Sequence, residues 1–329
     1  MSTPRMSAIL VSPEGVVATE GTVRHLAAQS AVGEIELVLV TPEPDAAALN
    51  ELDLDLDRFA GIRTASAGSR SNAAGYVAGI HAATADVIVI CEDHSYPEPD
   101  WAEALLDGYG PDVAAVGPVL LCGNPRTAVS FADFLLGFGP WLAPRPSADV
   151  EQLPGHSSSY RRDILLGYEP ELEGWLEAES VLHWDLRRRG YRLRLVGGAV
   201  THHFNLSRAK PWLQATFLQS RTFGGRRVAG KGPLRRLAWL LAVPLIPLVR
   251  LRRVFRDVRR ATETPPMARL LPAVCVALLV SAVGEAMGYA KGTGSAPERM
   301  HNYEILRHRH LTERDKEEMA GARFWERDD

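Results

Sequence analysis

The stretch Val87-Ile88-Val89-Ile90-Cys91-Glu92-Asp93-His94-Ser95-Tyr96-Pro97 decides how the chain is read. Its unbroken apolar run, Val87 to Cys91, is the pattern of a strand buried on both faces, as in the middle of a parallel sheet. The run stops in two acids and an imidazole, and Pro97 and Pro99 close the turn before Trp101. In open α/β sheets, ligands bind beyond the carboxyl ends of the strands. Carboxylate oxygens beside a His nitrogen suit Mg or Mn, so Glu92, Asp93 and His94 are candidate metal ligands. A solvated turn carrying two surface acids is the competing reading.

Outward from this stretch, strands and helices alternate. Ser7 to Ser12 reads as a first strand, Thr22 to Ser30 as a helix and Glu36 to Val40 as a second strand. Ile62 to Ala65 is a short third strand, and Ser71 and Asn72 open a helix that leads into Val87. A helix over 100–109 and a strand from Val113 to Val116 follow. The alternation predicts an α/β fold with a mostly parallel central sheet. Residues 137–154 are rich in Gly and Pro and are expected to form a long loop. A helix from Glu177 to Arg189 ends at Gly190, and two strands, Tyr191 to Val196 and Ala199 to Phe204, carry His202 and His203.

Of 329 residues, 46% are hydrophobic and 23% charged, with a formal net charge of −3, so no global basic footprint points to nucleic acid. Three widely spaced cysteines argue against a disulfide framework and against a zinc site. No signal-peptide pattern opens the chain, which places the N-terminal domain in the cytoplasm as an expectation.

In their order and spacing, these features resemble the family 2 glycosyltransferases of the GT-A fold. The resemblance rests on Thr22 to Gln29 as a first helix closing on a Gln and on Asn72-Ala73-Ala74-Gly75 with Gly79 before the acidic motif. It rests also on Glu92-Asp93-His94 where the family carries Asp-x-Asp, and on His203 late in the domain. The resemblance implies a nucleotide-diphosphate sugar as donor, a divalent metal (Mn or Mg) held by Glu92, Asp93, His94 and His203, and an inverting transfer to a lipid-linked or glycan acceptor. It implies Glu179, counted back from Gly190, as the general base, with Glu177 close enough to be confused with it. Donor contacts are expected from Glu43, Asn72, Glu92, Asp93 and Arg161, with Arg162 beside it. Two departures stand out: the second strand ends Val40-Thr41-Pro42-Glu43 without the usual acids, and the metal motif is Glu-Asp-His. Trp141 and Trp175 are candidates to stack on a sugar ring. A degenerate GT-A domain acting as a glycan-binding or membrane scaffold is one alternative, and a nucleotidyltransferase another.

The domains are expected at 1–230 for the GT-A part, 231–295 for a helical membrane-associated segment and 296–329 for a polar tail with no core face. Basic residues crowd between Arg221 and Arg269, and Gln219, Arg221, Arg226 and Arg227 read as a phosphate- or lipid-facing surface. Leu237 to Val249 is too short to span and holds Pro244 and Pro247, so it is expected at a membrane interface. Met267 to Ala290 is long enough to span, but Glu285 would be costly at the bilayer centre. Together these features point to the cytoplasmic face of the cell membrane, with two helices packed on a soluble domain as the competing reading.

Overall fold

The computed structural model describes residues 3–12, 15–41, 54–68, 71–259, 264–304 and 306–326. The chain forms two compact units: Met1–Leu121, Ala143–His203 and Met319–Asp329 make the first, and Cys122–Leu142 with Phe204–Glu318 the second.

Nine strands make one sheet: β1 (Met6–Val11), β2 (Ile35–Val40), β3 (Gly61–Ala65), β4 (Val87–Cys91), β5 (Ser95–Pro97), β6 (Val113–Cys122), β7 (Ala148–Asp149), β8 (Ser159–Arg161) and β9 (Arg192–His203). Their order is β3-β2-β1-β4-β8-β6-β9-β5, with β7 on β9. The strands β3, β2, β1 and β4 run parallel. β8 pairs antiparallel with β4 and β6, and β9 antiparallel with β5 and β7, so the mixed sheet joins a parallel half to an antiparallel one.

The central strands are apolar on both sides because both faces are covered. Met6, Ala8 and Leu10 of β1 pack with Leu26 of α1 (Glu20–Ala27) and with Trp101 and Leu105 of α3 (Trp101–Asp107) in the main core. The alternate residues Ile9 and Val11 meet α2 (Asn72–Ala82), where a Cβ at Gly79 or Gly75 would collide with them. The Asn-Ala-Ala-Gly helix is thus glycine-bearing so that it can lie directly on β1. Gln29, just past α1, donates to the carbonyls of His25 and Glu98 and accepts from Ala102 N–H. That pins the end of α1 to the start of α3.

Three expectations need correction. The strands expected at 191–196 and 199–204 are one, β9; its Gly197-Gly198 is no break, since Gly197 lies against the Arg145 carbonyl where a Cβ would not fit. The strand expected to end at Val116 runs to Cys122, because β8 pairs only at Ala115 and Val116 and leaves Pro118 outside that ladder. The helix α4 (Ala128–Phe138) was missed, and the Gly/Pro-rich stretch after it holds a 3-10 turn, Gly139–Trp141, and β7.

The first unit also holds α5 (Arg162–Leu166), α6 (Leu172–Leu176) and α7 (Glu179–Arg188). The second holds α4 and α8 (Ala209–Arg227), α9 (Pro233–Ala242), α10 (Ile246–Val258), α11 (Met267–Lys291) and α12 (Ala296–Glu304), with α13 (Glu313–Gly321) running on from it. Gly284 and Gly288 of α11 face the α8 backbone so closely that a Cβ at either would strike the carbonyls of Phe217 and Arg221. Glu285 is buried with partners: Arg250 Nη2 at 2.5 Å and the Tyr289 hydroxyl at 2.5 Å, while Arg250 Nη1 reaches Ser281 Oγ at 2.6 Å. The tail does have a core face, for Met300, Leu311 and Asp315 are buried.

Beneath the parallel half lies a buried carboxylate that sequence reading passed over. Glu36 accepts from Ser7 Oγ at 2.6 Å, Thr84 N–H at 2.8 Å, Thr84 Oγ1 at 2.7 Å and Arg63 Nε at 2.6 Å. Burial alone would raise its pKa, but these donors outweigh it and hold the carboxyl below its ordinary 4.5. A depressed folded-state pKa contributes stability above the unfolded value and loses it as pH falls. Replacing Glu36 by Ala is expected to cost about 2–4 kcal/mol at neutral pH by urea denaturation, because it strands buried donors. Glu36→Gln should flatten the loss of stability below about pH 4.5.

Candidate metal centre and acid–base site

The strand β4 delivers Glu92-Asp93-His94 to the carboxyl edge of the parallel strands, and the chain turns straight into β5. β5 pairs antiparallel with the end of β9, with Ser95 opposite His203. This register brings a residue more than a hundred positions away beside the turn. Glu92 Oε2 lies 3.3 Å from His94 Nε2 and 3.3 Å from His203 Nε2. The two imidazoles meet edge to face, with ring centroids 4.9 Å apart.

Asp93 does not join this cluster; it holds it. Its Oδ1 accepts from His94 Nδ1 at 2.7 Å. A carboxylate accepts only, so Nδ1 carries a proton and the ring is held with Nε2 turned toward Glu92. Carboxylate–imidazole pairs of this kind fix the tautomer and orientation of metal-binding histidines. The backbone is fixed as well: Thr22 Oγ1 on α1 donates to the Glu92 carbonyl at 2.7 Å.

Glu92, His94 and His203 are all buried and form the group among the described residues that could hold a metal ion. Ligand atoms about 2.0–2.2 Å from one cation stand roughly 2.8–3.6 Å from each other in tetrahedral or octahedral geometry. The observed 3.3 Å separations fit. Two nitrogens and one oxygen make a softer set than paired carboxylates and offer less negative charge to a cation. Burial would raise the Glu92 carboxyl, but the neighbouring His156 and His94 charges and hydrogen bonds from His203 and His94 hold it well below the usual carboxylate range.

His156 is the residue sequence reasoning did not single out as a site residue. Its Nδ1 stands 3.3 Å from Glu92 Oε1 and 3.4 Å from the Tyr76 hydroxyl on α2. The loop bearing it is laced onto β4: Ser157 N–H donates to the Ile90 carbonyl at 2.8 Å, and Ser95 Oγ meets Ser157 Oγ at 2.9 Å. Ser157 pays for this placement with a left-handed backbone, φ +62.

Glu179 begins α7, in the first turn as expected. Its carboxyl lies on Gly155, next to His156, where a Cβ would come within 2.7 Å of Glu179 Cδ. Burial raises its pKa above 4.5, His156 opposes this, and the Glu92 charge raises it further. The Glu179 carboxyl thus lies against the residue preceding His156, whose Nδ1 stands 3.3 Å from Glu92 Oε1. One turn on, His183 anchors the helix, its Nε2 2.9 Å from the Tyr160 hydroxyl; burial depresses its pKa to about 3, so it is neutral.

Other expected residues stand elsewhere. Arg161 pairs with Val87 at the opposite end of β4, and its guanidinium donates to the carbonyls of Val113 and Gly110. Arg162 donates to the Ile80 and His81 carbonyls, capping α2. Both arginines satisfy backbone, and neither faces the Glu92 cluster. Asn72 opens α2, whose following turn carries Tyr76 to His156. His202 points away from the cluster to Glu98 Oε1 at 2.9 Å, and Trp175 packs edge-on against Tyr168. Glu177 closes α6. In the second unit, half-buried Trp141 ends a 3-10 turn, Arg227 stacks on Trp239 and Arg221 donates to the Gly292 carbonyl, while Gln219 is exposed. Glu43 lies outside the described residues.

Asp93→Ala is expected to weaken Mn²⁺ affinity by about 10–100-fold, measured by electron paramagnetic resonance titration, because His94 loses its orienting partner.

No family model and no curated protein matches the sequence. Among solved structures, the fold is similar to the mannosyltransferase PcManGT from Pyrobaculum calidifontis in complex with GDP-Man and Mn²⁺, at 15% identity and a TM-score of 0.46, over 97% of this chain and 85% of that one. It is also similar to GalNAc-T7 with UDP, GalNAc and Mn²⁺, at 12% identity and a TM-score of 0.44, over 62% of this chain and 44% of that one.

Proposed function

We propose that the chain is a metal-dependent glycosyltransferase of family 2 type. In this reading it moves a hexose from a nucleotide-diphosphate sugar to a hydroxyl of a lipid-linked or glycan acceptor, as in the building of cell-envelope polysaccharide. The observation that carries the reading is the convergence of Glu92, His94 and His203 at a strand's carboxyl end, with His156 beside Glu92 and the Glu179 carboxyl against the neighbouring Gly155. The motif order read from the sequence supports it independently.

The cluster Glu92, His94 and His203 would hold the cation, which supplies positive charge against the departing diphosphate. Glu179 accepts the proton of the attacking hydroxyl as its oxygen bonds to the anomeric carbon and the bond to the diphosphate oxygen breaks. A single base on one side of the sugar accords with inversion of the anomeric centre. The raised pKa of Glu179 makes it a stronger base than an exposed carboxylate, which suits proton abstraction near neutral pH. His156, between the two acids, opposes the rise at Glu179 and the like-charge repulsion from Glu92.

The test is a panel of nucleotide sugars with Mn²⁺, reading nucleoside diphosphate release with and without acceptor glycans. Glu179→Gln should lower turnover about 10²–10⁴-fold, with nucleotide and Mn²⁺ binding kept. In the parent protein activity should fall as pH drops through a value above 4.5, and Glu179→Gln should lose that limb. A folded protein that binds neither nucleotide nor Mn²⁺ would instead be a scaffold.

A further inference from the structure

The second unit carries a surface that the metal centre does not explain. Through α9, the 3-10 turn Val243–Leu245 and α10, residues Leu234, Leu237, Leu241, Leu245 and Leu248 recur at spacings of three and four. All five are more than half exposed, from 51% to 82%, and α9 buries none of its residues. On α11, Val276, Leu279 and Val283 repeat the pattern. A contiguous apolar face of this kind marks a contact surface rather than a solvated one.

Charge selects the occupant. From Lys231 to Arg259 the chain holds eight cations and a single acid, Asp257. Arg252, Arg253, Arg256 and Arg259 line an open hollow of about 930 Å³ together with Leu248 and Phe255. Arg252, Arg253 and Arg259 are exposed and make no ion pair with any described residue. A second copy seated here by two-fold symmetry would set this cationic segment against itself. Acyl chains under anionic headgroups meet both halves of the surface, the leucines and the arginines.

The helix α11 is long and apolar enough to cross a bilayer, yet 44% of its most apolar window is buried within the chain. The covering helix α8 carries Lys210, Arg221, Arg226 and Arg227, which a spanning α11 would draw into hydrocarbon.

We propose that the exposed leucine stripe of α9 and α10 beds into one leaflet of an anionic membrane, with the arginines at headgroup level and α11 not crossing. The inference is independent of the metal centre. Flotation of the full chain with phosphatidylcholine vesicles, with and without phosphatidylglycerol, tests it. The parent should bind the anionic vesicles at least about tenfold more tightly, losing them in high salt. Leu241→Glu with Leu245→Glu should abolish binding, and Arg252→Glu with Arg253→Glu should weaken it at least about tenfold. All four side chains are exposed, so thermal melts should match the parent's. An alkaline carbonate wash should release the protein. Equal binding to neutral vesicles, no flotation, or retention after the wash would overturn the proposal. So would a concentration-dependent dimer that the leucine substitutions dissolve.

Discussion

Two imidazole nitrogens, each brought to 3.3 Å from one buried carboxylate oxygen, need a proton or a cation between them. The first unit is arranged to enforce this meeting. The parallel strands bury Glu92 at their edge, Thr22 grips its carbonyl, and Asp93 turns His94 so that Nε2 faces inward. The pairing of β5 with β9 then closes the cluster with His203. Each of these contacts would be hard to account for in a solvated turn. Together they concentrate negative charge and nitrogen lone pairs in one buried spot, which is the requirement for holding a divalent cation.

From that constraint the acid–base arrangement follows. Glu92 fixes the charge that His156 balances, and His156 sits beside Gly155, which leaves room for the Glu179 carboxyl. Glu179 feels both neighbours, and the Glu92 charge contributes to its raised pKa. Strain at Ser157 and the neutral His183–Tyr160 contact are the structural means of keeping these groups in register. A buried carboxyl with a raised pKa and a cluster able to hold a cation therefore influence each other's charge, which is the arrangement the proposed transfer calls for.

Some of this was legible in the residues and some was not. The strand Val87–Cys91 and its acidic end are announced by the unbroken apolar run, and the place of Glu179 in the first turn of α7 by counting back from Gly190 as the family resemblance implies. The resemblance singled out His203 over His202, and β9 gives the physical reason, since adjacent residues on a strand face opposite sides. That Asp93 accepts from His94 Nδ1 was not legible, because spacing along a sequence does not distinguish a ligand from the group that orients one. Arg161 and Arg162 looked like anion contacts by type, yet backbone carbonyls claim both. His156 carried no signal beyond a Ser-rich context. Its role depends on a loop laced to β4 by long-range hydrogen bonds.

The most direct measurement of the central claim is anomalous diffraction at the manganese edge, from crystals grown with Mn²⁺ and a nucleoside diphosphate. The account predicts a single strong peak about 2.0–2.3 Å from Glu92 Oε2, His94 Nε2 and His203 Nε2, with diphosphate oxygens completing the coordination. A map with full nucleotide density and no peak between these three atoms, or with manganese held elsewhere, would contradict it.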